Sequence, residues 1–234
     1  MRIEAITDVG LVRKSNEDSY LINERLGLFA VADGMGGHAA GEIASSLAVN
    51  TLEQAIVNFG EGEAALEQAI QQANQEIYRQ SALKPSLRGM GTTMTAVYFY
   101  RGKTYIGHVG DSRAYLINGP ETRLLTRDHS LVGELVRCGQ ISEEEAKHHP
   151  QRHIVTRALG TEPEVQIDIL APDLTGGEGI LLCTDGLSNV VETAEIGAAF
   201  RSVHDPATVL ESLKQLALAR GGHDNITAVY VQLS

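Results

Sequence analysis

"TTMTAVYFYRGKTYIGHVGDSRAYLI", residues 92–117, holds three runs of β-branched, aromatic and small apolar residues, over 92–100, 104–109 and 113–117, separated by three-residue breaks that contain glycine. A parallel strand pair needs a crossover of about a dozen residues. Breaks this short therefore make the runs antiparallel hairpins and exclude a regular βαβ winding. Working outward, similar short runs predict strands at 3–7, 19–22, 28–32, 165–170, 180–183 and 226–233. Helical spacing of apolar residues marks 42–59 (Ile43, Leu47, Leu52, Ile56, Phe59) and 63–80 (Leu66, Ile70, Ala73, Ile77). A further helix is expected from Pro206 to Ala219, with proline in its first turn and Gly221-Gly222 stopping it. Residues 126–160 carry short helical pieces and little strand pattern. The fold class is α+β: antiparallel sheet in the middle, long amphipathic helices over it, and one helical insertion.

Bulk properties narrow the function. The chain has 234 residues and a net charge of −11, which argues against nucleic acid or an anionic membrane as main partner. No apolar run approaches the ~20 residues that span a bilayer, and the N-terminal MRIEAITDVG lacks a signal peptide's apolar stretch. Cys138 and Cys183 are too few for a disulfide framework. With no linker or repeat, residues 1–234 are expected to form one domain of a soluble, cytoplasmic protein.

Four of the predicted strands have an aspartate at one end. "LFAVADGMGG" stops at Asp33, "IGHVGD" at Asp111 and "ILLCTD" at Asp185, while Asp224 in "GGHDN" precedes the last strand; Asp18 stands just before the second. Ordinary turn chemistry accounts for any one of these, since Asp bonds its local backbone and Gly accepts positive φ. It does not call for Asp each time, because Asn or Ser would serve. If the ends converge the acids repel, and two carboxylates ~4 Å apart cost ~4 kcal/mol at an effective dielectric near 20. No Lys or Arg cluster flanks them, so cations are the remaining remedy, and all-oxygen ligands favour Mg²⁺ or Mn²⁺ over Zn²⁺. Several acids with room for water suit a pair of ions that activates water. Arg13, upstream of Asp18, has the planar fork that suits phosphate oxygens. Other chemistries fail on spacing. "GKT" at 102–104 has Val97 where a P-loop needs glycine, and neither cysteine is followed six residues on by arginine. Metal-assisted hydrolysis remains.

The motifs "TDVGLVRKSNEDS", "VADGMGGHAAGEIAS", "GMGTT", "HVGDSRAYL", "LTRDHSLVGELV", "LLCTDGLS" and "GGHDNITAV", in this order along the whole chain, resemble the metal-dependent protein phosphatases of the PPM type, also called type 2C Ser/Thr phosphatases, in their compact bacterial form. The resemblance implies an α-β-β-α sandwich of two antiparallel sheets flanked by helices, with residues 126–160 as a flap. It implies two Mn²⁺ or Mg²⁺ ions bridged by Asp33, with the Gly34 carbonyl on one and Asp185 and Asp224 on the other. Asp111, with Asp185, matches the position of a weaker third ion, Asp18 an outer acid that orders water, and Arg13 the phosphate-binding residue. The implied activity is hydrolysis of phosphoserine and phosphothreonine by a metal-bridged hydroxide, without a covalent phosphoenzyme. Phosphorylated proteins would be substrates, a bacterial Ser/Thr kinase would be opposed, and the protein would act as a monomer. One departure concerns the leaving group's proton: Met35 stands where many relatives have histidine, leaving His38 or a metal-bound water for that role.

Overall fold

Antiparallel pairing dominates the computed structural model of the protein, which describes residues 1–36, 40–118, 121–174, 177–203 and 205–233. In chain order, β1 (Arg2–Asp8), β2 (Asp18–Asn23) and β3 (Leu28–Met35) lead into α1 (Ala40–Ala55) and α2 (Gly62–Leu83). Then come β4 (Gly91–Thr92), β5 (Met94–Tyr100), β6 (Lys103–Val109), β7 (Arg113–Asn118) and β8 (Glu121–Leu124). The insertion holds α3 (Leu131–Arg137) and α4 (Glu143–Lys147). The chain ends with β9 (Asp168–Leu170), β10 (Gly179–Cys183), α5 (Asp185–Ser188), α6 (Thr193–Ser202), α7 (Pro206–Ala219) and β11 (Ile226–Gln232).

The strands form two sheets, one in the order β1-β11-β10-β7-β8, the other β2-β3-β5-β6-β9 with β4 alongside β3. Strand periodicity sorts side chains into layers, because successive residues point to opposite faces. Phe29 and Val31 of β3 meet Ala114, Leu116, Ile180, Leu182, Val229 and Val231 of the facing sheet. Their neighbours Leu28, Ala30 and Ala32 turn the other way, onto α1 and α2. In the β1-β11-β10-β7-β8 sheet Tyr115, Leu181, Cys183 and Tyr230 face Ile196, Val209, Leu210 and Leu213 of α6 and α7. Three apolar layers thus separate four structural ones, the α-β-β-α sandwich expected.

The structure corrects several details. The second break in the opening stretch is not a hairpin: β6 and β7 lie in different sheets, and Gly110–Ser112 carries the chain across the sandwich. Gly110 makes the crossing with φ +110°, a conformation that side chains resist. The run over 92–100 breaks at Thr93 into β4 and β5, and the ninth strand shrinks to three residues. Of the stripe expected over 42–59, Leu52 and Ile56 are buried and Leu47 and Phe59 pack at the edge of the core, while Ile43 is 41% exposed and Ala44, Ala48 and Val49 of α1 fill the buried face in its place. Alanine on that face lets the helix lie close to β3. Sequence reading missed α6, although Glu192 and Glu195 form a capping box at its start.

Candidate metal centre

Strand register brings the acids together. Asp18 on β2 sits directly opposite Asp33 on β3, an arrangement that like charges disfavour. In the other sheet the pair Cys183–Ala228 closes the β10–β11 ladder near one end. Asp185 lies just past the end of β10, and Asp224 just before β11. Asp111 follows β6 on the crossing between sheets. All five acids therefore gather at one end of the sandwich, three from one sheet and two from the other.

They are only partly satisfied. Thr184 Oγ1 donates to Asp18 Oδ2 at 2.8 Å, linking the sheets, while Asp18 Oδ1 is buried without a hydrogen-bond partner. Asn189 Nδ2 donates to Asp185 Oδ2 at 2.9 Å, and Asp185 Oδ1 is likewise orphaned. Burial, with the charges of Asp185 and Asp224, lifts Asp18 to about 7 against hydrogen bonds from Thr227 and Thr184. Burial and Asp185 lift Asp111 to about 7 as well. Asp33 is raised well above the usual carboxylate range, first by burial and then by Asp18, Asp185, Asp111 and Asp224 in turn. Burial and Asp224 raise Asp185, while contact with Asp33, then His153 of the insertion and Arg13, draw it back.

Arg13 reaches the cluster, its Nη2 donating to Asp224 Oδ2 at 2.7 Å. Asn225 sets the loop that carries it. Its Nδ2 donates to the carbonyls of Val9 and Ser15 at 2.9 and 3.0 Å, and its Oδ1 accepts from Glu17 N at 2.8 Å. The glycines have a packing role that sequence reading did not assign. A Cβ on Gly34 would strike the carbonyl oxygens of Gly41 and Glu17, and one on Gly41 the Glu17 carboxylate. Glu17, raised by burial, with Arg13 opposing and Asp224 and Glu42 adding to the shift, is thereby a sixth acid beside the cluster. Its place directly before Asp18 was the available signal.

Behind Asp33 lies a frame of hydroxyls and imidazoles that sequence reading also missed. Asp33 N donates to Thr93 Oγ1 at 2.9 Å, and the Asp33 carbonyl accepts from Thr93 N at 2.9 Å and Thr92 Oγ1 at 2.8 Å. His129, at the entry to the insertion, grips the Asp111 loop twice. Its N–H donates to the Gly110 carbonyl at 2.7 Å, and its Nδ1 accepts from Gly110 N at 3.0 Å. His38 lies outside the described residues, and His148 and His149 are solvent-facing.

Among the described residues, no three His, Cys, Asp or Glu side chains close around a single point. Acids that gather at one end of the sandwich without closing into a cage suit hard cations that keep several waters and take one or two carboxylates each. The orphaned oxygens of Asp18 and Asp185 are the structural sign that such ions fit: a buried anionic oxygen without a donor is costly unless something positive meets it.

The protein phosphatase 2C family model matches residues 13–219, so the chain belongs to the metal-dependent phosphatases of that family. It is 39% identical to the serine/threonine phosphatase stp of Listeria innocua, over 99% of this chain and 96% of that protein. It superposes on the Mycobacterium tuberculosis serine/threonine phosphatase PstP/Ppp with a TM-score of 0.92 and 40% identity, covering 100% of this chain and 98% of that one. A PstP catalytic domain solved with two manganese ions is similar at a TM-score of 0.85 and 39% identity, covering 98% and 96%.

Proposed function

We propose that this chain removes phosphate from phosphoserine and phosphothreonine in proteins, with two Mn²⁺ or Mg²⁺ ions held where the two sheets end together. The carrying observation is the buried, donorless pair Asp18 Oδ1 and Asp185 Oδ1 within a ring of mutually repelling acids. The likeness to serine/threonine phosphatases, and the two manganese ions of the PstP domain, support the same reading. The ions would be held by Asp33, the Gly34 carbonyl, Asp185 and Asp224. Asp111 with Asp185 would hold a weaker third ion, and Asp18 would order water.

When bound, such ions make a nucleophile of water at neutral pH and neutralise phosphoryl oxygens. The chain's own residues do the rest. Arg13 presents five N–H donors, of which the Asp224 contact uses one; the others face incoming phosphate oxygens. Asn225 fixes the Arg13 loop so that this fork is preorganised. Direct hydrolysis needs no covalent nucleophile. Burial pushes the Cys183 thiol up to about 12, and it packs in the helix-side core. The leaving oxygen takes its proton from His38 or from water. Residues 1–234 act as one catalytic domain, with 126–160 as a flap beside the site. The protein works as a cytoplasmic monomer that opposes a Ser/Thr kinase. Among the described residues no helix is long and apolar enough to cross a membrane.

The test is release of phosphate from a phosphothreonine peptide with Mn²⁺ or Mg²⁺, with p-nitrophenyl phosphate as comparison. Chelation should abolish it. Absence of hydrolysis by the wild type at saturating Mn²⁺ would overturn the reading.

A further inference from the structure

Two buried hydroxyls stand between the strands that carry Asp33 and Asp111. Thr93 is 1% exposed and Ser112 fully buried. Thr93 Oγ1 accepts the Asp33 N–H at 2.9 Å and lies 2.7 Å from Ser112 Oγ. Ser112 directly follows Asp111, and its carbonyl accepts from Thr95 Oγ1 at 3.0 Å. A short path therefore runs from the Asp33 backbone through two hydroxyls to the Asp111 loop. The same loop packs on Thr93, since a Cβ at Gly110 would meet the Thr93 methyl and Cβ.

The surroundings make this hydroxyl pair a choice rather than a default. Met94, Ala96 and Val97 on β5 are buried and apolar, and the buried Thr95 between them gives its hydroxyl to the Ser112 carbonyl and His108. Valine at 93 and alanine at 112 would keep the contacts between layers. What they would lose is the hydrogen-bonded path, and in a low-dielectric interior such a path is rigid and costly to leave half made. It joins two loops that also carry the charges most in need of a fixed spacing.

We propose that the Thr93–Ser112 hydroxyl pair is a positioning element that sets the separation of Asp33 and Asp111, and with it the affinity of the Asp111-dependent ion. The proposal rests on the metal reading above. Partners that orient metal ligands typically govern affinity by about 10- to 100-fold. Removing Ser112's hydroxyl breaks the path on the Asp111 side and spares the bond that holds Asp33.

The experiment titrates Mn²⁺ into chelator-treated protein by calorimetry and, in the metal-free state, follows hydrogen exchange of the Asp33 amide. Ser112→Ala should weaken the weakest Mn²⁺ site about tenfold, leave the tighter sites at wild-type affinity and keep the Asp33 amide protected. Thr93→Val should deprotect that amide and weaken every site, and Thr93→Ser, which restores the hydroxyl, should recover both. A wild-type isotherm for Ser112→Ala, or equal weakening of all sites by it, would overturn the proposal. So would an Asp33 amide as protected in Thr93→Val as in the wild type. If the wild type took up no Mn²⁺ the metal reading would fall, and the exchange comparison of Thr93→Val with Thr93→Ser would still decide whether the clamp exists.

Discussion

Asp128 and Asp33 are both largely enclosed acids, yet their surroundings are opposite. Arg113 grips Asp128 with two parallel bonds, Nε to Oδ1 at 2.9 Å and Nη2 to Oδ2 at 2.7 Å. Burial pulls the Arg113 guanidinium down, and Asp128 more than makes up the difference. Asp168 is met in the same way by Arg157 at 2.9 Å and His129 at 3.2 Å. At the strand ends the pattern inverts. Asp33 faces four other aspartates, with Arg13 as the nearby cation on the far side of Asp224. Where the protein wants an acid for structure it supplies donors from its own chain. Where it leaves acids to repel, it accepts instability in return for a cation site.

The largest effect should come from Asp33→Asn. It should cut Mn²⁺-dependent turnover at least about a thousandfold, while the chelated variant melts no lower than wild type because a repelling charge is gone. Full activity would break the comparison at its centre. On the other side, Asp128→Asn strands the Arg113 charge in a pair about a fifth exposed. We expect a loss of about 2–3 kcal/mol in urea unfolding, with Mn²⁺ affinity at the tighter sites unchanged. A loss of metal binding there would merge the two regions into one.

The pH response separates them further. Asp18 and Asp111 stand at about 7 in the folded, metal-free protein, against roughly 4 in an unfolded chain. Between those values these two groups hold more protons in the folded state than in the unfolded one, so the stability they contribute is fully present below about pH 4 and is lost as pH rises through 7. The melting temperature of chelated protein should drop by roughly 5 °C from pH 5 to 7.5, and saturating Mn²⁺ should remove that drop. A chelated protein that gained stability over this window would show that the acids do not repel. The smallest effect is reserved for Asp111→Ala: about a tenfold lower turnover with both core ions retained in calorimetry. Loss of all metal would mean that Asp111 belongs to the core pair.

Much of this was legible in the chain. The central strands β3 and β10 bury both faces, so residues 28–32 and 180–183 read as unbroken apolar runs. The acids stood out because charge at the end of such a run is expensive. Other features leave weaker traces. Thr93, Ser112 and Asn225 are small polar residues at strand ends, where turn chemistry explains them equally well, and only the fold reveals which backbone groups they hold. The crossing at Gly110–Ser112 looked like one more hairpin, since sequence spacing does not say whether the next strand stays in its sheet. The alanine part of the buried face of α1 was missed because alanine carries little hydrophobic signal, although it suits a close helix approach.

One feature of the topology reaches beyond catalysis. Asp18 and Asp33 belong to one sheet, Asp185 and Asp224 to the turns of the other, so an ion shared between them is a bolt through the sandwich. Whatever binds the native state and not the unfolded chain adds to stability, by about 2.7 kcal/mol at a hundred times its dissociation constant. The folded fraction of this protein then follows the free divalent ion concentration. Withdrawing divalent ions should therefore lower the melting temperature of this protein as well as its activity, because the seam between its two sheets would lose the charge that joins them.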